Sequence, residues 1–338
     1  MTRGFLLGKF MPPHAGHMLL CETASRLVDE LTVLVCWLPD DPIAGPLRLE
    51  WMQRLLPGCR VIGHGAAVPQ QPDDDPDFWP VWRRIVRDVH PQPIDLLFAG
   101  EEYGRRLAEE VGGLFVPLGA RCMAADPDGM GGVSASAMRA DPWREWRWLP
   151  KPVRAYYALT ICLHGPESTG KSVLSERLAK HFGTIWVPEY GRAHCETYGT
   201  ELDEADLLLI GKAQAAMTAA SLRSCDRRLI VDTDPLMTAA WCQMMLGRMP
   251  EELFRFPKAD LYLMMEGDVG WQDDGTRVYG GDDERTRFNS ICRDVLDRAG
   301  VSWISVSGPW DSRFAQAAEA VERLVVPPNA HPALILSS

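Results

Sequence analysis

Two short stretches hold residue types whose spacing could do chemistry. In "GKFMPPHAGH", residues 8–17, two histidines stand three apart after a short apolar run, with two prolines ahead of them and a glycine between. A strand, a tight loop and a helix start would aim both imidazoles and the first helical amides at one point. His17 would lie at the positive end of that helix, which favours anions. Gly16 lets the backbone come close, and Lys9 adds a cation on the same face. The chemistry that fits is attack on the α-phosphate of a nucleotide with pyrophosphate leaving, a step that needs positioning and charge stabilisation more than a covalent nucleophile. Metal binding by His14 and His17 is a rival, but no acidic or cysteine ligand stands nearby; a purely structural pair is another.

The second stretch, "GPESTGKS", residues 165–172, fits G-x-x-x-x-G-K-[ST]. An apolar run precedes it and a helical pattern follows. Backbone amides from Gly165 through Glu167, Ser168, Thr169 and Gly170 would face the phosphates of ATP. Lys171 would reach the β- and γ-phosphates, and Ser172 would hold Mg²⁺. Such a loop does not name the group that accepts the phosphoryl.

Other stretches supply acceptor candidates. "LIVDTDP" puts Asp232 and Asp234 at the end of an apolar strand, where open α/β sheets bind ligands. A carboxylate there can order Mg²⁺ or take the proton of an attacking hydroxyl; the alternative is a strand-end turn or a helix cap. "WVPEYGR" places Glu189, Tyr190 and Arg192 after another strand. "WQDDGTR" joins Trp271, Asp274 and Arg277 in a polar loop that suits a lid, its arginine meeting the transferring phosphoryl; a solvated turn is the alternative. "VSGPWDSR", with Arg313, follows the last strand and could lie under the adenine. "VSASAMRADPW" reads as a second phosphate element for the first stretch: Ser134 can cap a helix, leaving Ser136 and Arg139 three apart on one side of its first turn.

The elements that must position these groups alternate. Strand patterns at 4–8, 31–37, 59–64 and 94–100 interleave with helical patterns at 17–27, 46–56 and 78–89. That order predicts a parallel sheet with helices on both faces. "WLPKPVRAYY" punctuates the chain near residue 150. Beyond it "ALTICLHG", "TIWVP", "RLIVD", "LYLMM" and "SWISVSG" read as strands, with a long helix at 204–223. The expectation is α/β throughout: a Rossmann-like parallel sheet in a domain over 1–150, a second parallel sheet carrying the P-loop in a domain over 155–326, and a loose tail over 327–338.

The chain has 338 residues, enough for two cores. Its net charge of −11 argues against wrapping nucleic acid, which calls for a basic excess. Nine scattered cysteines include no CxxC pair, which disfavours zinc ribbons and disulfide frameworks and suits a reducing cytoplasm. The start does not read as a signal peptide, and no run is long enough to span a membrane. A homo-oligomer is compatible with all of this.

Taken together, "GKFMPPHAGH" with "VSASAMR" resembles the paired signature of the nucleotidylyltransferase superfamily. Coupled to a downstream P-loop with "PEYGR", "DTDP" and "WQDDGTR", the chain resembles the NadR-type bifunctional family from about residue 3 to about residue 325. That family joins a nicotinamide mononucleotide adenylyltransferase to a ribosylnicotinamide kinase. The resemblance implies that His14, His17, Ser134, Ser136 and Arg139, with Gly8, Phe10 and Gly16 beside them, hold ATP in the first half. It implies that Trp79 or Trp82 stacks on the nicotinamide ring. In the second half it implies Lys171 and Ser172 for ATP and Mg²⁺, with Glu189, Asp232, Asp274 and Arg277 holding or activating nicotinamide riboside. Some relatives carry a DNA-binding helix-turn-helix ahead of the first strand; here that strand starts by about residue 4, so repressor function is not expected. The nearest enzymatic rival is a fused adenylyltransferase and kinase of coenzyme A synthesis, and a rival of another class is an NAD- and ATP-sensing regulator with poor turnover.

Overall fold

The computed structural model describes residues 1–118, 134–270 and 279–325. Trp271, Asp274 and Arg277, the stretch "ADPDGMGG" ahead of Val133, and the tail over 327–338 lie outside these residues. The chain divides into two compact units, Met1–Val153 and Arg154–Ser338. Each is built on one five-stranded sheet in which every pairing is parallel.

In the first unit the order along the chain is β1 (Arg3–Gly8), α1 (Ala15–Leu27), β2 (Glu30–Cys36), α2 (Gly45–Leu55), β3 (Arg60–His64), α3 (Phe78–Val89), β4 (Leu96–Ala99), α4 (Tyr103–Val111), β5 (Leu114–Pro117) and α5 (Ala135–Ala140); α6 (Lys151–Tyr157) spans the division. The strands lie in the order β3-β2-β1-β4-β5. The period-2 pattern of β2 explains why both faces are covered. Leu31, Val33 and Val35 pack with Cys21 and Ala24 of α1 and Met52 of α2, while Leu34 and Cys36 pack with Trp82 and Val86 of α3 and Leu107 of α4. Because β1 is central, its C-terminal end at Gly8 feeds the histidine loop into the crevice where this sheet topology binds ligands.

In the second unit the order is β6 (Leu159–His164), α7 (Lys171–His181), β7 (Trp186–Val187), α8 (Tyr190–Tyr198), α9 (Glu204–Ser221), β8 (Arg228–Asp232), α10 (Pro235–Leu246), β9 (Leu261–Met265), α11 (Asp282–Ala299), β10 (Trp303–Val306) and α12 (Trp310–Glu322). The strands lie in the order β10-β9-β6-β8-β7. Ile161 and Leu163 of β6 pack against α7 and α12; Cys162, on the opposite face, packs with Leu236, Met237 and Phe288 of α10 and α11. α10 is apolar all round, as a helix must be when eight of its twelve residues are buried. The strand expected across "TIWVP" is only two residues long. Pro188 follows it on this edge strand, where a proline is tolerated.

Candidate active sites

In the first unit His14, with an extended backbone, is the N-cap of α1. Its Nδ1 accepts from the amides of Gly16 at 3.1 Å and His17 at 3.4 Å. The helix therefore starts two residues earlier than its apolar spacing indicates, because an imidazole does the work usually done by Ser or Asp. This cap also settles the chemistry of the ring. A nitrogen that accepts two N–H groups carries no proton, so the neutral imidazole is protonated on Nε2 and presents a donor there. The His14 and His17 rings stack with centroids 3.7 Å apart and planes at 27°. His17 also meets the Phe10 ring edge-on at 5.0 Å. Burial pulls His14 down to about 4; burial and the neighbouring His14 pull His17 down to about 3. Both rings are neutral at pH 7.

Arg139 of α5 reaches this loop. Its guanidinium donates to the Met11 carbonyl and to Ser136 Oγ at 3.2 Å, and Ser134 Oγ accepts from the Ala137 amide at 3.5 Å as the cap of α5. The two sequence elements proposed to share a phosphate are thus joined, although 128 residues separate Arg139 from Met11. Phe10 has a left-handed backbone, φ 47°, and its buried ring joins the core below Gly8, so it offers the site backbone rather than an aromatic face. Lys9 pairs with Asp41 at 3.4 Å. Asp41 is also held by Arg48 at 2.6 Å, and Arg48 is fully buried and donates to the Lys9 carbonyl at 2.6 Å. Burial alone would raise Asp41, but the Leu38 amide, Arg48 and Lys9 outweigh it and hold the carboxyl below its ordinary range. Sequence reasoning missed this Arg48–Asp41 brace. The available signal was a charged residue inside the apolar pattern of "PLRLEWM".

The two tryptophans separate cleanly. Trp82 is buried in the core, and its Nε1 donates to the Pro69 carbonyl at 3.1 Å. Trp79 is half-buried, with its edge-to-face partner Phe78 at 4.9 Å.

In the second unit the loop after β6 has the strained geometry of a phosphate cradle. Gly165 has φ 128°, Ser168 φ 59° and Gly170 φ 81°. A Cβ on Gly165 would stand 2.5 Å from the Met265 carbonyl oxygen, and one on Gly170 would stand 2.3 Å from the Trp310 ring, so neither position accepts a side chain. α7 begins at Lys171, which puts its first amides at the loop. Lys171 Nζ donates to the carbonyls of Gly165 and Pro166, both at 2.9 Å. Thr169 is fully buried, and its Oγ1 donates to the Pro166 carbonyl at 2.9 Å.

A cleft of about 270 Å³ runs from this loop between α8, α9 and α10. Lys171, Ser172, Glu189, Arg192 and Gln214 line its polar end; Leu202, Ile210, Met237, Trp241 and Met245 line its apolar end. Trp241 stacks on Tyr279 at 6.0 Å and packs on Phe288 at 4.5 Å. The apolar half was not foreseen, since Met237, Trp241 and Met245 belong to a helix with no polar face to mark which side meets the cleft.

The carboxylates differ in how they are used. Asp232 ends β8, 1% exposed, and neither of its oxygens has a hydrogen-bond partner among the described residues. Burial raises its pKa, while Lys171, the Ser172 hydroxyl and Arg192 pull it back. Burial lifts Glu189 to about 7; Lys171 and Arg192 oppose the rise, and Asp232 and Glu167 add to it. Asp234 is committed elsewhere. Its Oδ1 accepts from the amides of Leu236 at 2.9 Å and Met237 at 3.3 Å, capping α10, and its Oδ2 accepts from Tyr262 Oη at 2.5 Å. It lines a separate cavity of about 240 Å³ beside Lys258, not the P-loop cleft. Of the sequence alternatives, the helix cap is taken by Asp234, while Asp232 stays at the strand end. Tyr190 gives its amide to Gln214 and turns its ring to His194, 6.2 Å away. Arg313, 1% exposed, donates to the carbonyls of Gly308 at 2.7 Å, Glu266 at 3.1 Å and Thr169 at 3.5 Å, and pairs with Asp268. It braces the cradle from behind.

Comparison with known proteins follows this geometry. A family model described as an AAA domain matches residues 160–313, the P-loop part of the chain. The trifunctional NAD biosynthesis/regulator protein NadR of Escherichia coli (strain K12) is 27% identical, covering 96% of this chain and 83% of its own. A nicotinamide-nucleotide adenylyltransferase of Methanothrix thermoacetophila is 29% identical over 117 residues, which is 33% of this chain. A crystal structure of a NadR protein in complex with NR superposes with a TM-score of 0.77 at 18% identity, covering 96% of this chain and 97% of that one. Over nearly its whole length, then, this chain is homologous to the NadR proteins.

Proposed function

We propose that this chain makes NAD in two ATP-dependent steps, phosphorylating nicotinamide riboside in the second unit and adenylylating the resulting mononucleotide in the first. One observation carries the reading. A histidine-capped helix start joined to Arg139 and Ser136 occurs in one unit, a P-loop cleft lined by Lys171, Ser172 and Glu189 occurs in the other, and relatives that are NadR proteins match across both.

In the second unit the riboside lies along the cleft with its ring at the apolar end by Trp241. Its 5′-hydroxyl attacks the γ-phosphorus of ATP, and the proton goes to a carboxylate. Glu189 suits that task, because burial keeps its affinity for a proton near neutral. Lys171 and the loop amides hold the phosphates as the bond to the β-phosphate oxygen breaks and ADP leaves. Ser172 and Asp232 would hold Mg²⁺. The two buried, unbonded oxygens of Asp232 beside a hydroxyl fit an ion that takes few protein ligands and completes its shell with phosphate and water. When bound, the ion neutralises charge on the phosphates. The reading also assigns Trp271, Asp274 and Arg277, which lie outside the described residues, to the acceptor.

In the first unit the 5′-phosphate of nicotinamide mononucleotide attacks the α-phosphorus of ATP, and pyrophosphate leaves. The Nε2–H of His14, the His17 ring, the α1 amides, Arg139 and Ser136 supply donors without a nucleophile or an external base. Lys9, on its Asp41 tether, adds positive charge at the same face. Trp79, not Trp82, stacks on the nicotinamide ring. The partners are small molecules, with no part for nucleic acid. Among the described residues no helix is long and apolar enough to cross a membrane, and the free thiols suit the cytoplasm.

The test is to give the purified protein nicotinamide riboside, ATP and Mg²⁺. ADP, pyrophosphate and NAD should all appear, with the mononucleotide as an intermediate. No turnover of the riboside, with turnover of dephospho-coenzyme A instead, would replace this reading by the coenzyme A alternative.

A further inference from the structure

β7 and β8 pair only through Trp186 with Ile230 and Val187 with Val231. The next rung would set Pro188 opposite Asp232, where the register calls for the Glu189 amide to donate to the Asp232 carbonyl. A side chain takes over at that point. Gln214 of α9 is 2% exposed, and its Nε2 donates to the Pro188 carbonyl at 3.2 Å and to the Asp232 carbonyl at 3.5 Å. Its Oε1 accepts from the Tyr190 amide at 2.8 Å. One carboxamide therefore grips the chain immediately before and after Glu189 and ties it to Asp232. It also satisfies the first amide of α8, whose N-cap Glu189 makes no side-chain cap bond. The Glu189 carboxylate is left for other work.

We infer that Gln214 is a positioning residue that sets the spacing between Glu189 of the P-loop cleft and Asp232 at the end of β8. The inference rests on the kinase reading only for its kinetic readout. Gln214 contributes no charge and all its polar capacity on this side is spent on backbone, so its effect passes through the two carboxylates it locates. Without it, a two-residue strand and a proline are all that hold Glu189 against β8, and Glu189 gains water. Burial sets its proton affinity first, and Lys171, Asp232, Arg192 and Glu167 then adjust it; among these residues the side chain of Gln214 bonds only the backbone carbonyl of Asp232.

The test uses the full chain with Gln214→Met, which keeps length and bulk but not the hydrogen bonds. Riboside phosphorylation should lose on the order of 10–100-fold in kcat, the range seen when a group that orients a ligating residue is removed. KM for ATP should stay within about twofold, because the cradle is untouched. The acid limb of the pH–rate profile should move to lower pH as Glu189 becomes more solvated. Adenylyl transfer by the same preparation should be unchanged, reporting that the chain is folded. An unchanged kcat and profile would overturn the inference, as would a loss that tracks melting temperature and ATP binding alone. Should Gln214→Met not fold, Gln214→Glu, which keeps the bond from the Tyr190 amide, takes the same measurements. If the wild type phosphorylates no riboside, the functional reading falls, and the crystal structure of the variant decides the clamp: Glu189 displaced from Asp232 upholds it, and Glu189 in place overturns it.

Discussion

The imidazoles of His14 and His17 stack at 3.7 Å, and the first of them also closes the turn on which the second sits. One residue thus has a folding role beside the chemical role proposed for it, and substitutions can separate them. Asn at position 14 can accept the Gly16 and His17 amides as a cap but brings no ring. His14→Asn should keep the melting temperature and lose adenylyl transfer, whereas His14→Ala should lose both, with about 1 kcal/mol of stability gone with the cap. His17→Ala should cost on the order of 10²–10³-fold in adenylyl transfer, the usual effect of deleting one preorganised donor, and leave riboside phosphorylation in place. A His14→Asn enzyme with wild-type adenylyl transfer would reduce the ring to a cap.

Lys171→Ala gives the complementary result. Its Nζ donates to two loop carbonyls, so the change also removes two hydrogen bonds from the loop, at a cost of about 1–3 kcal/mol that a thermal melt reads. Riboside phosphorylation should fall by on the order of 10²–10³-fold. Conversion of mononucleotide to NAD should continue. Parallel loss of both activities would contradict the assignment of one reaction to each unit.

The tryptophan pair offers a third check. Trp79→Ala should raise KM for the mononucleotide by the equivalent of about 1–3 kcal/mol of stacking and leave the fold intact. Trp82→Ala removes a buried ring and orphans the Pro69 carbonyl, and should cost about 3–5 kcal/mol of stability. Isothermal titration and thermal melts of both variants read the two effects. A tighter effect on mononucleotide binding at Trp82 than at Trp79 would reverse the roles.

The parts of the molecule legible in the sequence were those fixed by local pattern. β2 and the strand into the P-loop announce themselves because β-branched and apolar runs end at loops with glycine and proline, and the glycines at 165 and 170 are there because no other residue fits. What escaped depends on contacts between distant segments. Nothing local marks Gln214 as a substitute for a missing ladder rung; its meaning arises only when Pro188 comes to lie opposite Asp232. The pairing of Asp41 with Arg48 and the bracing of the loop by Arg313 are of the same kind. Asp232 and Asp234 could not be told apart in advance. They are two residues apart in one strand-end turn, and only the fold leaves one beside Lys171 and Ser172 and commits the other to the cap of α10.

Acidification provides a last prediction, from groups whose folded and unfolded proton affinities differ. Burial holds His14 at about 4 and His17 and His164 at about 3, against the ordinary 6.5 of an unfolded chain. Above 6.5 these rings are neutral whether the chain is folded or not, and their contribution to stability is fully present. Below 6.5 the unfolded chain takes up protons that the folded chain refuses, so stability falls with pH until the folded values are passed. Glu189 acts in the opposite sense. Lifted to about 7 from 4.5, it binds a proton in the folded chain first, and so adds stability as pH falls from 7 towards 4.5. Thermal unfolding followed from pH 7.5 to pH 4.5 should therefore show a decline that His14→Asn combined with His17→Gln makes shallower and Glu189→Gln makes steeper. If removing both histidines leaves the slope unchanged, the two rings are not held neutral by the fold, and the donor role given to His14 Nε2 loses its basis.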